Sequence, residues 1–410
     1  MNHTGKRRRK VLLIIVVSIL SVPVARADVI TDWNIKAGEI VVAAGMGTPI
    51  ANRTLAIVHT AVYEAVNAIT RRYPDSGLKL KAAAGASIDA AVAAANRSTL
   101  AKLAPSQQAA IDEAYRAALA MVADGPAKTE GIAIGEKAAA AILTLRADDG
   151  ADTIETYRPY TTAGVYVPTV IPVVPQWPQR KPWLMISPAQ FRPGAPPKLT
   201  SELWARDYNE TRALGGRNGA RRTPEQTEIA IFWVATLPPV YHGVVRSVAN
   251  MPGREVTRNA RLFAAVTQAM DDATIAVMDA KYHYSFWRPI TAIRNGDLDG
   301  NDATERDPSW TPLIETPMHP EYPCAHCIAS GAVGAVLQAE IGADPTPTLT
   351  TTSYLSGATR SWTKIEDFVR EVANARVYAG VHYRNSSVVG AAMGARIGEL
   401  AAAKFLRPVN

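Results

Sequence analysis

The strongest constraint on the fold is a series of long segments that place apolar residues at helical spacing, with few strand signals between them. Residues 51–70 repeat apolar side chains every three to four positions, which predicts an amphipathic helix. The alanine-rich residues 82–147 predict three more helices, with breaks at Pro105 and Gly125. This pattern indicates an all-α protein.

The second half of the chain carries further helix signals. Residues 223–226 form a capping box with proline at the first helical position, which predicts a helix over the EIAIFWVATL that follows. Residues 258–283 form a long helical run. Residues 363–366 are expected to cap a helix that ends near Gly380, and residues 387–406 to form a last alanine-rich helix.

A proline-rich segment divides the chain. Residues 159–197 hold ten of the 28 prolines, so neither a helix nor a central strand is expected there. The segment also contains several large aromatic residues, which favour an ordered, irregular crossover over a linker. We therefore expect two packed helical bundles that share one core: N-terminal helices over about 28–157, the crossover over 158–198 and a C-terminal bundle over 199–410.

The N-terminus has the features of an export signal. Residues 6–10 are basic, residues 11–22 are apolar, and residues 25–27 form an A-x-A cleavage site. The apolar core is shorter than the ~20 residues that a spanning helix needs. We expect a secretory signal over 1–27 and a mature chain, 28–410, that is periplasmic or extracellular; a retained signal anchor is the alternative.

Charge and cysteine content exclude some classes of protein. The formal net charge is +7, but six basic residues and no acidic ones lie in residues 1–27, which leaves +1 for the mature chain. No nucleic-acid or membrane-surface partner follows from this charge. Two cysteines are too few for a disulfide scaffold, although an exported protein could form one bridge.

Lys281 and Arg288 form the first candidate for chemistry. On one helix, positions seven apart lie within about 20° of the same face, so both cations could reach one oxyanion before Pro289 limits the helix. The ordinary alternative is a pair of solvated surface cations. The aromatic residues that surround them favour a partly buried setting.

Arg376 and His382 form a second candidate. They are six apart and would point away from each other on a straight helix, but Gly380 offers a break that could turn His382 back. The alternative is a capping arginine and a core histidine.

The stretch HPEYPCAHCIASGAV, residues 319–333, is the third candidate. A helix that begins at Pro323 would place His326 in its first turn and leave free amides near Cys324 and Ala325. Together the three segments supply three cations, free amides and two histidines, a set that suits a tetrahedral or trigonal-bipyramidal oxyanion.

These motifs resemble a known superfamily. The pattern K-x6-RP, then P-S-G-H, then S-R-x5-H-x3-D is typical of the superfamily that unites vanadium-dependent haloperoxidases with type-2 phosphatidic acid phosphatases and bacterial acid phosphatases. The residues that match it in order and spacing are Lys281, Arg288, Pro289, Pro323, His326, Arg376 and His382. The segments FWRPITAIR and LRADDGAD resemble the haloperoxidase branch.

The resemblance implies roles for these residues. His382 would bind vanadate axially, or act as the phosphohistidine nucleophile of a phosphatase, and His326 would be the acid–base group. The equatorial oxygens would be held by Lys281, Arg288 and Arg376, with the Cys324–Ala325 backbone nearby. The implied activity is oxidation of halide by hydrogen peroxide, with small-molecule substrates, an organic acceptor and no haem.

His319 bears on the choice of halide. It lies seven positions before His326, where bromoperoxidases carry histidine and chloroperoxidases tend to carry an aromatic residue. The resemblance therefore favours bromide or iodide.

The chain also departs from the family pattern. Cys324 and Ala325 replace Ser-Gly, Ala375 replaces the serine before the arginine, and Ser386 stands where an aspartate would orient His382. We therefore expect His382 to be less firmly held. An acid phosphatase, or a non-catalytic protein that binds phosphate or vanadate, remain alternatives, and the oligomeric state is open.

Other interpretations compete for the same residues. Cys324–Cys327 could be a redox motif of the disulfide-isomerase type or a structural disulfide. His319, His326 and His382 could bind zinc, although the nearby cations would repel it. The Asp271-Asp272 pair could support a site arginine or be solvated.

Overall fold

The computed structural model describes residues 28–74, 78–218 and 221–405. The predicted signal peptide lies outside these residues. The regular secondary structure of the described chain is almost entirely helical, as expected. Its helices are α1 (Val29–Ala43), α2 (Thr48–Thr70), α3 (Ile88–Leu103), α4 (Gln108–Ala120), α5 (Pro126–Leu145), α6 (Glu202–Gly215), α7 (Pro224–Phe232), α8 (Pro238–Ala249), α9 (Val256–Tyr284), α10 (Pro289–Arg294), α11 (Ala325–Ile341), α12 (Ile365–Tyr378) and α13 (Arg384–Phe405).

Most of the predicted helices are present. Helices α2 to α5, α9 and α13 lie where the periodicity placed them. Helix α7 begins at the expected capping box but ends at Phe232, short of the predicted length. Helix α12 begins at Ile365, and its N-cap residue, Lys364, makes no side-chain hydrogen bond. The side-chain cap predicted over residues 363–366 is therefore wrong.

Some elements were not predicted. These are α1, α6, α8 and an antiparallel hairpin of two short strands, β1 (Leu349–Thr352) and β2 (Thr359–Trp362). The pairing of Leu349 with Trp362 sets the register of the hairpin, and both side chains join the main core. None of the helices in the described ranges is long and apolar enough to cross a membrane.

Helix α9 lies at the centre of the molecule. It is 29 residues long, and residues along its whole length are buried on every face. The main core cluster joins side chains of α9 to those of α2 and α3 from the first half of the chain, and of α11 to α13 from the second. A helix that is apolar on all sides is expected to be surrounded by others.

Helices α11 and α13 pack at very short range. A Cβ atom on Gly394 would lie 2.0 Å from the carbonyl oxygen of Ile328, so no other residue could occupy this position without moving a helix. The small residues of α11 therefore serve helix packing as well as the site at its N-terminus.

The proline-rich crossover is ordered and irregular, with one short 3-10 turn at Trp177–Gln179. Two aspartates of α9 anchor it. Asp271 accepts hydrogen bonds from Arg180 at 2.7 Å and 3.0 Å, and Asp272 accepts from the backbone N–H groups of Trp183 and Leu184 at 2.7 Å and 2.8 Å. These aspartates therefore hold the crossover on the core, and neither contacts an arginine of the candidate site.

Candidate oxyanion site

Lys281 lies in the last turn of α9 and is fully buried. Its Nζ donates to the carbonyl oxygens of Pro320, at 2.9 Å, and Glu321, at 2.7 Å. Burial lowers the pKa of Lys281 well below its usual value, and the nearby Arg288 lowers it further. The ammonium group is thus tied to the 319–321 loop by neutral acceptors.

Arg288 reaches the same loop by a different route from the one predicted. Helix α9 ends at Tyr284, and Ser285 adopts a left-handed conformation with φ 46°. Arg288 is the extended N-cap residue of α10, so the prediction that it shares a helical face with Lys281 is wrong. The two cations converge because Arg288 Nε donates to His319 O at 2.9 Å, next to the carbonyls that Lys281 binds.

Arg376 and His382 are brought together by the expected break. Helix α12 ends at Tyr378, and Gly380 has φ +76°. A Cβ on Gly380 would lie 2.3 Å from Gly215 O, so this glycine is required by close packing as well as by its conformation. Beyond it, His382 turns back, and its Nε2 lies 3.3 Å from Arg288 Nη1.

Arg376 is buried at the end of α12. Its Nη1 donates to Trp233 O at 2.9 Å, and its Nε has no hydrogen-bond partner in the described structure. Burial lowers the pKa of Arg376 to about 10, and that of Arg288 likewise to about 10. Both guanidinium groups remain charged at neutral pH.

The contacts of His382 define its tautomer. A guanidinium can only donate, so His382 Nε2 must accept from Arg288 and must carry the lone pair. Nδ1 therefore carries the hydrogen and donates to Glu321 Oε1 at 2.7 Å. Burial lowers the pKa of His382, and Arg288 and Lys281 lower it further, so the ring is neutral.

Glu321 is the residue that sequence analysis missed. Ser386 occupies the position where the family carries an aspartate, but the carboxylate of Glu321 contacts His382 instead and also accepts from the Tyr383 backbone N–H at 3.1 Å. Burial raises the pKa of Glu321 to about 7, while Lys281 and Arg288 act in the opposite direction. The sequence did offer one signal for Glu321, which is the one acidic residue of HPEYPCAH.

His326 lies in the first turn of α11, as expected, although this helix begins at Ala325 and not at Pro323. The buried Nε2 of His326 has no hydrogen-bond partner in the described structure. Burial lowers the pKa of His326, and Arg376 lowers it further. A neutral imidazole with an unpaired nitrogen is suited to proton transfer.

The two cysteines form a disulfide, so the site contains no thiol donor. The backbone N–H of Cys324, which was expected to be free, donates to Ser386 O at 3.2 Å. Ala325 lines the cavity beside the histidines. Within the described ranges, no three or more His, Cys, Asp or Glu side chains are arranged to hold a metal ion, so the zinc interpretation gains no support.

His319 connects the cations to the cavity. Arg288 Nη2 lies 3.0 Å from His319 Nδ1, which also lies 3.1 Å from the carbonyl oxygen of Pro320. Burial lowers the pKa of His319, and Lys281 and Arg288 lower it further. A cavity of about 560 Å3 is lined by His319, His326, Arg376 and His382, so these predicted site residues open onto a space that a small molecule can enter. Lys281, Arg288 and Cys324 are not among its lining residues.

Comparison with known proteins agrees with this geometry. The family model for the second helical-bundle domain of vanadium chloroperoxidase (VCPO) matches residues 261–410, the range that contains every candidate residue. Over 150 residues the chain is 31% identical to vanadium chloroperoxidase from Curvularia inaequalis. The fold superposes on a bacterial vanadium-dependent iodoperoxidase with a TM-score of 0.79, covering 92% of this chain and 96% of that one at 23% identity. Residues 261–410 therefore belong to the vanadium haloperoxidase superfamily through its second helical-bundle domain.

The likeness in fold covers more of the chain than the likeness in sequence. The apo form of a bacterial vanadium-dependent chloroperoxidase superposes with a TM-score of 0.69 over 88% of this chain and 94% of that one, at 18% identity. The aligned segment spans about a quarter of the Curvularia protein, 24% of its length, and 30% of this chain. The vanadium haloperoxidase fold is therefore shared throughout, and the sequence match is concentrated where the candidate site lies.

Proposed function

We propose that this protein is a vanadium-dependent haloperoxidase that oxidises iodide or bromide with hydrogen peroxide. The observation that carries the proposal is that the buried cations of the site are paired with neutral carbonyl oxygens and not with carboxylates. Lys281, Arg288 and Arg376 donate to backbone carbonyl oxygens, and in the described structure none has a carboxylate partner. Three buried cations beside one carboxylate leave a positive charge that a bound oxyanion would neutralise.

The donors that remain suit vanadate. Arg376 Nε and His326 Nε2 are buried polar atoms without partners, and such atoms cost free energy until a ligand or water pairs with them. The Nε2 lone pair of neutral His382 accepts from Arg288 Nη1 at 3.3 Å, a contact that bound vanadate would replace, and Glu321 holds the ring from the Nδ1 side. Vanadate would be held by Lys281, Arg288, Arg376 and His382.

Bound vanadate supplies a Lewis acid that activates hydrogen peroxide for attack by halide. The protein's own residues perform the rest. The three cations would neutralise the charge of the bound group, and the Glu321–His382 contact fixes the orientation of the His382 ring that would hold it. His326, neutral and unpaired at Nε2, moves a proton at the face that opens to the cavity.

The disulfide supports halide oxidation. Hypohalous acid oxidises thiolates readily, so a free cysteine next to the site would be damaged by the product. Cys324 and Cys327 are joined to each other, which removes this target. A disulfide also suits an exported protein, as the signal sequence over residues 1–27 predicts.

The preference for iodide or bromide rests on His319. It contacts Arg288 and lines the cavity, so it lies where a halide would approach the site. Replacing His319 by phenylalanine is expected to change the ratio of the iodide and bromide rates while leaving vanadate binding in place.

The decisive experiment compares purified protein with and without orthovanadate. Vanadate-dependent oxidation of iodide or bromide by peroxide supports the proposal. Hydrolysis of a phosphomonoester that vanadate inhibits would replace it by a phosphatase that uses His382 as nucleophile. Tight binding of vanadate or phosphate without either activity would leave a binding protein. His382→Ala should abolish whichever activity is found, and unchanged turnover would remove His382 from the mechanism.

A further inference from the structure

The cavity above the oxyanion site extends well beyond the space that vanadate, peroxide and halide need. Its volume is about 560 Å3, within the range of sites that hold drug-sized molecules. Beyond the histidines and Arg376, its lining comes from the start of α2, from α8, α9 and α11, from the chain between α7 and α8, from the crossover and from residues 314–318. We call this outer part the chamber.

The walls of the chamber are mainly apolar. The aliphatic and thioether side chains that line it are Pro49, Val173, Val234, Val277, Met278, Ile314 and Met318. Such walls favour a flat or compact apolar body over an extended polar one.

Most polar groups in the walls are already paired. Thr48 Oγ1 and Thr236 Oγ1 hydrogen-bond each other at 2.7 Å. Thr274 Oγ1 donates to Met270 O, one helical turn earlier, at 2.8 Å. These hydroxyls therefore have little left to offer a ligand.

Asn52 is the exception among the buried polar groups; Glu315, which is exposed, and the half-buried Thr316 also line the chamber. Asn52 is 4% exposed, lines the chamber, and donates from Nδ2 to Thr274 Oγ1 at 2.9 Å. Because the Thr274 hydrogen goes to Met270 O, Thr274 must accept from Asn52, which fixes the orientation of the amide. Asn52 Oδ1 has no partner in the described structure, and an unpaired buried acceptor costs about 1–3 kcal/mol.

We propose that the chamber binds the organic acceptor of the halogenation, and that this acceptor is a neutral two-ring aromatic compound with one hydroxyl or ring N–H group. The apolar walls hold the rings, and the donor hydrogen-bonds to Asn52 Oδ1. An anionic phenolate is excluded from this contact because it has no hydrogen to donate to an acceptor. This inference rests on the proposed halide oxidation.

The reaction balances with the reagents already named. Halide is oxidised by two electrons and peroxide is reduced to two waters. A carbon–halogen bond replaces a ring carbon–hydrogen bond, and the ring proton together with one proton from solvent completes the second water. Holding the ring in the chamber places it next to the point where the oxidised halogen is released.

The test measures binding without any chemistry. Full-length protein is titrated with 2-naphthol and with 2-methoxynaphthalene, which lacks the donor, in the absence of vanadate, halide and peroxide. We expect 2-naphthol to bind about ten-fold more tightly, since one hydrogen bond to a buried acceptor contributes about 1.4 kcal/mol. Asn52→Leu should remove this difference and leave 2-methoxynaphthalene binding unchanged.

Asn96→Leu is the matched control. Asn96 is also a buried asparagine with an unpaired Oδ1, but it lies on α3 and does not line the chamber. This variant should bind both probes as the parent does. Ile314→Trp, which fills the chamber from a loop, should weaken both probes and serves if Asn52→Leu does not fold.

The outcomes separate this inference from the proposed function. Equal binding of the two probes by the parent protein, or binding that Ile314→Trp leaves unchanged, would overturn the chamber as the acceptor site. Vanadate-dependent formation of triiodide from iodide and peroxide, which needs no organic acceptor, tests the function alone. If no triiodide forms while naphthol binding is intact, the proposed function is overturned, and the chamber is left as an aromatic-binding site without a role in halogenation.

Discussion

Two buried charge clusters in this protein are built on opposite rules. The first, which we call the anchor cluster, joins Arg53, Arg146 and Arg180 to Asp149 and Asp271 where the crossover meets α9. Every arginine in it has a carboxylate partner within 3.0 Å. The second, the oxyanion site, pairs its cations with carbonyl oxygens, and its one carboxylate is engaged by His382.

The difference separates a structural role from a binding role. Carbonyl oxygens satisfy hydrogen bonds but carry no net charge, so they orient Lys281 and Arg288 without neutralising them. The anchor cluster sets three arginines against two aspartates, so the protein itself balances most of its charge. The oxyanion site contains an excess of positive charge that a ligand would relieve.

The largest expected effect breaks the anchor cluster. Arg180→Leu leaves Asp271 buried with its main partner gone, which should lower the free energy of unfolding by about 3–5 kcal/mol. Urea denaturation measures this. Arg370→Leu, which removes an exposed ion pair with Asp367, is the control and should change stability little. Equal losses in the two variants would contradict the assignment.

The second prediction replaces an arginine of the oxyanion site by leucine, as Arg180→Leu does in the anchor cluster. Arg376→Leu should leave stability unchanged or higher without anion, because it removes a buried cation that lacks a carboxylate partner. Vanadate affinity should fall by at least about 30-fold, since a buried charge contact is worth about 2–5 kcal/mol. Denaturation and vanadate titration are the measurements. A stability loss like that of Arg180→Leu would show that Arg376 is structural.

Glu321 gives a smaller effect. Glu321→Gln keeps an oxygen that can accept from His382 Nδ1 but removes the charge that supports it. Vanadate affinity should fall by about 10-fold, at the lower end for loss of a group that orients a metal ligand. Titration of Glu340→Gln, which changes a buried glutamate at the far end of α11, provides the control and should match the parent. Full affinity in Glu321→Gln would remove this glutamate from the site.

The smallest effect concerns a buried histidine with a purely structural role. His59 hydrogen-bonds Asn34 at 3.0 Å and stacks on Phe263, and burial lowers its pKa to about 3. In the unfolded chain the imidazole of His59 is protonated once the pH falls below its usual pKa of 6.5, whereas in the folded protein it stays neutral down to about pH 3. The stability that neutral His59 contributes is therefore complete above pH 6.5 and is lost as pH falls toward 3. Compared with His59→Gln, the parent should lose about 1.4 kcal/mol more between pH 7.5 and 5.5. Parallel pH profiles would contradict this.

The sequence was most informative where local rules decide structure. Helical periodicity located α2 to α5 and α9, and Gly380 correctly marked the turn that returns His382 to the site. His59 lies in α2, the first helix that periodicity located, and its burial fits that apolar pattern.

Long-range contacts decided what the sequence could not predict. Lys281 and Arg288 were expected to meet on one helix, but the left-handed turn at Ser285 separates them, and the 319–321 loop brings them together. Glu321 contacts a histidine 61 positions away. No local pattern predicts such a pair, so the missing family aspartate at Ser386 suggested a weaker site than the one that forms.

The central claim is that the unbalanced cations form one oxyanion site, and titration with orthovanadate tests it most directly. We predict saturable binding of one vanadate per chain, competition by phosphate, and loss of affinity in Arg376→Leu with the fold retained. Absence of saturable binding, or affinity that Arg376→Leu leaves unchanged, would contradict the account.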